Sequence, residues 1–136
     1  MRFAVNMTAS SNAGQSKAGQ SKAEHIARFG TYGAWGWFKQ FSPDEARQIE
    51  ELGYGTIWLG GSPENLHPIR TILEATENIT VATGIVNIWN SIPYVIAGEF
   101  HALERDFPGR FYLGIGAGHP EATSEYTTPF KAVGRY

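Results

Sequence analysis

Ile79-Thr80-Val81-Ala82-Thr83-Gly84-Ile85-Val86 is a nearly unbroken run of β-branched and apolar residues. A half-exposed strand alternates apolar and polar positions; a run this uniform suits a strand covered on both faces, as in a parallel sheet. Parallel neighbours require crossover connections, usually helices, on either side of the run. Upstream, a helix starts near Pro68 and carries Ile69, Ile72 and Leu73 on one face. Downstream, Pro93 opens a helix with Ile92, Ile96, Phe100, Leu103 and Phe107 along a buried stripe, and Pro108-Gly109 ends it. The next strand then reads Phe111-Tyr112-Leu113-Gly114-Ile115-Gly116.

Further out the alternation continues. Ser42, Pro43 and Glu45 combine an N-cap, a proline in the first turn and a capping box. The helix they start has Ala46, Ile49 and Leu52 inward and Glu50 on its solvated side, and Gly53 stops it. Phe29-Gly30-Thr31-Tyr32-Gly33 precedes it as a first strand, and Thr56-Ile57-Trp58-Leu59 follows as a second, ended by Gly60-Gly61. Pro129 to Tyr136 reads as the opening of a fourth helix. The order β-α-β-α-β-α-β selects an α/β fold with parallel strands. About four βα units make the N-terminal half of a TIM (β/α)₈ barrel, truncated before closure, since such a barrel takes about 250 residues. Pattern alone equally admits a small doubly wound sheet.

The chain has 136 residues, 42% hydrophobic and 18% charged, the composition of a globular protein. A net charge of -2 without like-charge blocks gives nucleic acid or an acidic membrane no handle, and no apolar run is long enough to span a bilayer. The absence of cysteine removes thiolate chemistry and fits a cytoplasmic protein. Residues 1–27 are rich in Ala, Ser, Gly, Gln and Lys and write GQSKA twice, at Gly14 to Ala18 and Gly19 to Ala23. That composition predicts a flexible tail, leaving 28–136 as the partial barrel domain.

Ligands in parallel α/β folds gather at the C-terminal strand ends. Those ends are Ala34-Trp35-Gly36, Gly60-Gly61-Ser62, Gly84 to Asn90 and Gly116 to His119. Glycine lets backbone approach a flat ligand and Trp offers it an apolar face, although each glycine equally serves a tight βα turn. Competing motifs fail on spacing. Gly114, Gly116 and Gly118 miss the third position of a dinucleotide loop, and no G-x-S-x-G elbow exists. His25, His67 and His101 fall in the tail or on helices, so no metal site is expected.

Thr83 to Asn90 resembles the third strand and following loop of the bacterial-luciferase-like superfamily, especially its coenzyme F420-dependent oxidoreductases. Glu51-Leu52-Gly53-Tyr54, Asp106 to Phe111 and Leu113 to His119 are similar to that family in order and spacing. The resemblance covers Phe29 to Tyr136. It implies a cofactor across the barrel mouth and a strand-three bulge with a non-prolyl cis peptide at Gly84-Ile85. Cofactor contacts would then fall on Gly60, Thr83, Gly84, Ile85, Asn87, Trp89, Gly116, Ala117 and Gly118. Some F420 enzymes carry an Asp-His pair after strand two where this chain has Leu59-Gly60, so no base is carried over there. An acidic residue after strand four is matched by His119, the one candidate catalytic group.

The implied activity is hydride transfer between coenzyme F420 and an organic small molecule, with an FMN-dependent monooxygenase as the alternative. A second alternative is a half barrel without catalysis of its own, and open sheet edges predict self-association or pairing with a second half barrel.

Overall fold

The computed structural model describes residue 24 together with 28–124 and 126–136. Apart from residue 24, the stretch read as a tail lies outside the described residues, His25 included. In chain order the elements are β1 (Gly33–Trp37), α1 (Pro43–Glu51), β2 (Thr56–Gly60), α2 (His67–Ala75), β3 (Thr80–Thr83) and β4 (Val86–Asn87). They continue with α3 (Pro93–Asp106), β5 (Phe111–Tyr112), β6 (Ile115–Gly116), a 3₁₀ turn (Pro120–Ala122) and α4 (Pro129–Val133). Four parallel strands form one sheet in the order β1-β2-β3-β5, and β4 and β6 pair in parallel beside it. This is an α/β architecture of alternating units around a parallel sheet, a partial (β/α)₈ barrel.

The helices cover one face of that sheet. Ile57, Leu59, Val81 and Phe111 from the strands meet Ile69, Ile72, Leu73, Ile96 and Leu103 from the helices in one buried cluster. Alpha-1 begins as its sequence dictates: the Ser42 side chain accepts from the Glu45 amide, and the Glu45 carboxylate accepts from the Ser42 amide at 2.8 Å. Its expected stripe is shorter than predicted, because Leu52 falls at the C-cap and is 75% exposed. Ile92 likewise precedes α3 and is 52% exposed. Alpha-2 has no capping side chain of its own, so Glu99 on α3 supplies an acceptor for the Leu66 amide at 2.6 Å.

Three strand boundaries differ from the sequence reading. The first strand is Gly33–Trp37, not Phe29 to Gly33. Gly30 turns at φ 75°, packed so tightly on Gly55 that neither has room for a Cβ, and Phe29 instead lays its ring against Trp58 and Tyr112. The third and fourth strands are each interrupted, β3 giving way to β4 and β5 to β6. At the interruption the Thr83 hydroxyl accepts from the Gly114 amide at 2.9 Å and donates to its carbonyl at 3.0 Å. The Gly114 carbonyl then accepts from Val86, and Ile88 donates to Gly116, so pairing resumes one step on. A Cβ on Gly114 would overlap the Thr83 carbonyl oxygen, which fixes glycine at that position.

The N-terminal end of the sheet is held by polar groups. Thr56 and Thr80 donate to the carbonyls of Phe29 and Arg28 at 2.5 and 2.9 Å. Glu50, expected on a solvated side, instead turns its carboxylate to the amides of Glu77, Asn78 and Ile79. Arg110 donates to the Ile79 carbonyl and the Thr76 hydroxyl beside it. Burial alone would raise the Glu50 pKa; the amides of Asn78, Glu77 and Ile79 and the Arg110 charge outweigh it and hold the carboxyl below its ordinary value.

A depressed folded-state pKa contributes stability that is present above the unfolded-state value and lost as pH falls through the folded one. Glu50→Gln is therefore expected to cost about 1 kcal/mol at neutral pH, the scale of a few exposed charge-assisted hydrogen bonds. Urea unfolding of both proteins at pH 7 and at about pH 3 checks it, since the difference should shrink as the wild-type carboxylate protonates. An equal deficit at both pH values would show that its charge contributes nothing.

Candidate functional site

Parallel strands put their C-terminal ends on one side, and there the loops are tied together by neutral hydrogen bonds. Beta-2 ends at Gly60, Gly61 turns at φ 87°, and Ser62 accepts from the Asn87 amide at 2.9 Å. The Asn87 carbonyl accepts from the Ser91 hydroxyl at 2.8 Å, leaving the Tyr136 hydroxyl to donate to Ser91 at 2.7 Å. The Asn87 side-chain oxygen accepts from the Trp89 amide at 3.0 Å. Trp89 reaches across to the fourth strand's loop, its indole donating to the Ala117 carbonyl at 2.9 Å while its ring sits 5.9 Å from that of Tyr126. Gly118 closes the circuit at φ 64°; a Cβ there would lie 2.8 Å from the Asn87 side-chain nitrogen.

The expected contacts therefore converge. Gly60, Ile85, Asn87, Trp89, Gly116, Ala117 and Gly118 lie on the ends of β2, β4 and β6 and the stretches next to them, and the Gly84-Ile85 peptide is cis. Ile85 packs toward Gly116, its Cδ1 3.2 Å from where a Cβ would stand. Gly84 is exposed, with open space and no heavy atom within 4 Å of a built Cβ. Thr83 behaves differently from the rest: it is buried, with its hydroxyl occupied by Gly114 in both directions. His119 is exposed where the 3₁₀ turn begins and makes no side-chain bond to that turn.

Ser62, Ser91, Tyr126 and Tyr136 were not singled out in the sequence. Ser62 stood in the right turn, but a hydroxyl that accepts from backbone 25 positions away, or one that meets another hydroxyl 45 positions away, leaves no local pattern. Trp35 belongs to the interior of β1, and Trp37 marks the true end of that strand. The carboxylates held below their ordinary values lie elsewhere: Glu45 through its bonds with Ser42, Glu50 at the opposite end of the sheet, and Asp106 through Arg105 and Arg70. Among the described residues no three His, Asp or Glu gather as a metal ion would need. The arrangement suits holding a flat ligand through backbone, amide and aromatic groups.

The sequence profile described as luciferase-like monooxygenase matches residues 40–132. The chain belongs to the luciferase-like monooxygenase family. Among similar proteins is the 4-hydroxyprotoasukamycin monooxygenase of Streptomyces nodosus subsp. asukaensis, 36% identical over 60% of this chain and 21% of its own length. The N-acetyl-S-alkylcysteine monooxygenase of Bacillus subtilis is 32% identical over 52% of this chain and 24% of its own. The F420-dependent glucose-6-phosphate dehydrogenase of Tsukamurella paurometabola is 33% identical over 53% and 21%. The chain thus spans less than a quarter of the length of these relatives. No solved structure matches it. The luciferase-like relatives include enzymes named for oxygenation and one named for F420, so membership fixes an oxidoreductase family and not one cofactor.

Within this luciferase-like fold the Thr83 bridge predicts a specific cost. Thr83→Val keeps the shape but leaves the Gly114 amide without its partner, a loss of about 1–3 kcal/mol. Thr83→Ser should recover most of it. Unfolding in urea measures both, and a valine variant as stable as the serine one would remove the bridge as the element that joins the interrupted strands.

Proposed function

We propose that the C-terminal rim of this domain binds the flat ring of a tricyclic redox cofactor, coenzyme F420 on the sequence reading, and that the whole protein transfers hydride between it and an organic small molecule. The carrying observation is Gly84: an exposed backbone with open space over it, set among the loops of Gly60, Asn87 and Gly116 to Gly118. A Cβ-free backbone facing open space is what a planar ring needs to lie close. The bound cofactor supplies the hydride chemistry itself. The chain's residues hold and orient: Gly84 admits the ring, Gly60 lets the Trp35 indole close in at its border, Ile85 and Gly116 back it, and Asn87 and Trp89 fix the loop against Ala117 and Gly118. Thr83 acts through the strand break. His119 is the proposed proton-handling group, an exposed imidazole at the end of the same rim.

Reduced FMN is the second reading, favoured by the two relatives named as monooxygenases. Spectroscopic titration of the chain with F420 and with FMN separates the two. Gly84→Val is expected to weaken ring binding at least about tenfold while leaving the unfolding midpoint within error, because its side chain meets ligand space and no protein atom. Binding of neither cofactor would overturn the proposal; equal binding by the valine variant would move the ring elsewhere.

The proposal includes self-association or pairing with a second half barrel. It is supported by β1 and β5 standing at the two ends of the strand order. Sedimentation of the chain should give a mass above that of the monomer. A clean monomer across micromolar concentrations would remove this part.

A further inference from the structure

We propose that Trp35 and Trp37 form the wall of a substrate subsite, and that the substrate presents to it a neutral aromatic ring and not a phosphorylated group. The inference rests on the cofactor reading above and names the substrate class of the same site. Beta-1 alternates, so its indoles share the face turned away from the helices, while Ala34 packs against the buried cluster. Their rings meet edge to face, 5.4 Å between centroids at 65°. Trp35 lies so flat over Gly60 that a Cβ there would overlap it, and Trp37 stands over Gly61, 3.1 Å from a built Cβ. By register Trp37 is level with Gly60, at the mouth and one strand from β3, which leads into Gly84. The two indoles therefore lie against Gly60 and Gly61 at the end of β2 and keep more than half of their surface free.

Charge decides what would lie against them. Segments 33–37, 56–63, 80–92 and 111–118, which make β1 to β6 and the stretches just beyond β2, β4 and β6, contain no Lys, Arg, Asp or Glu. Lys39, in the turn after β1, rests 5.6 Å over the Phe38 ring. A phosphate group taken out of water needs cationic or convergent donors, which this wall lacks. A neutral ring gains instead from edge-to-face and stacked contact with indole.

Calorimetric titration of the chain with 2-naphthol as neutral probe and glucose 6-phosphate as charged probe tests this, alongside Trp37→Ala and Trp37→Phe. The expected result is that 2-naphthol binds, that alanine raises its Kd about tenfold and phenylalanine less than about threefold, and that cofactor affinity is unchanged in both variants. Tighter binding of glucose 6-phosphate, or an alanine variant that binds 2-naphthol as well as wild type, overturns the subsite. Cofactor binding without any 2-naphthol binding overturns it while the cofactor reading stands. 2-Naphthol binding that depends on Trp37, with neither cofactor bound, removes the cofactor reading and leaves the aromatic wall.

Discussion

Two adjacent strands of this fold break at the same level, and one hydroxyl keeps them joined. Where β3 and β5 stop, a continuous ladder would leave the Gly114 amide and carbonyl to pair in register. The strands instead step past each other, and the Thr83 side chain occupies both groups. The step is sterically possible because position 114 has no Cβ to meet the Thr83 carbonyl. Gly84 to Trp89 and Gly116 to Gly118, read as candidate site residues, lie beyond it. Beta-4 and β6 resume in parallel as a separate short pair, and that offset brings Asn87 beside Gly116 and Gly118.

The two ends of the sheet are built from different physics. At the N-terminal end Glu50, Arg110 and two threonines tie distant backbone segments together with charge-assisted and hydroxyl bonds. At the C-terminal end the ties are neutral: serine and tyrosine hydroxyls, an asparagine amide and an indole. Charge at the closed end stabilises without reaching the mouth, and a neutral mouth keeps the space over Gly84 free of fixed ions. That division matches the general separation of stability and function between the two faces of such barrels.

Much of this was legible in the sequence because it is local. Ser42, Pro43 and Glu45 start α1 as written, Pro93 opens α3, and the uniform 79–86 run announces a covered parallel strand. Glycine and amide residues at strand ends located the rim. The misreadings of the strands and of Glu50 concern partners far away in the chain, while Leu52 and Ile92 fell just outside their helices. Residue preference marks where strand-like residues lie, not where a ladder changes partner, so β3 and β4 read as one strand. Phe29 and Tyr32 have strand character, but the turn at Gly30 against Gly55 places them ahead of β1. Glu50 sits at a position that looks solvated on its own helix; only the approach of residues 77–79 gives its carboxylate work.

The aromatic content shows the same dependence on register. Trp35 pairs with Trp58, Trp58 with Ala82 and Ala82 with Tyr112, so one row across four strands carries two indoles, a methyl group and a phenol on the face away from the helices. Phe29 stacks on Trp58 and tilts against Tyr112, covering the part of that row nearest the N-terminal end. Trp58 is accordingly more covered than the indoles of β1. The difference runs across the sheet: Trp35 shares its row with Trp58 but stands on the end strand β1, and Trp37, on the same strand, is level with Gly60. Free indole surface therefore collects along β1, the strand at one end of the sheet order, and Trp37 carries it to the level of Gly60, while the rings of Trp58 and Tyr112 are held by Phe29.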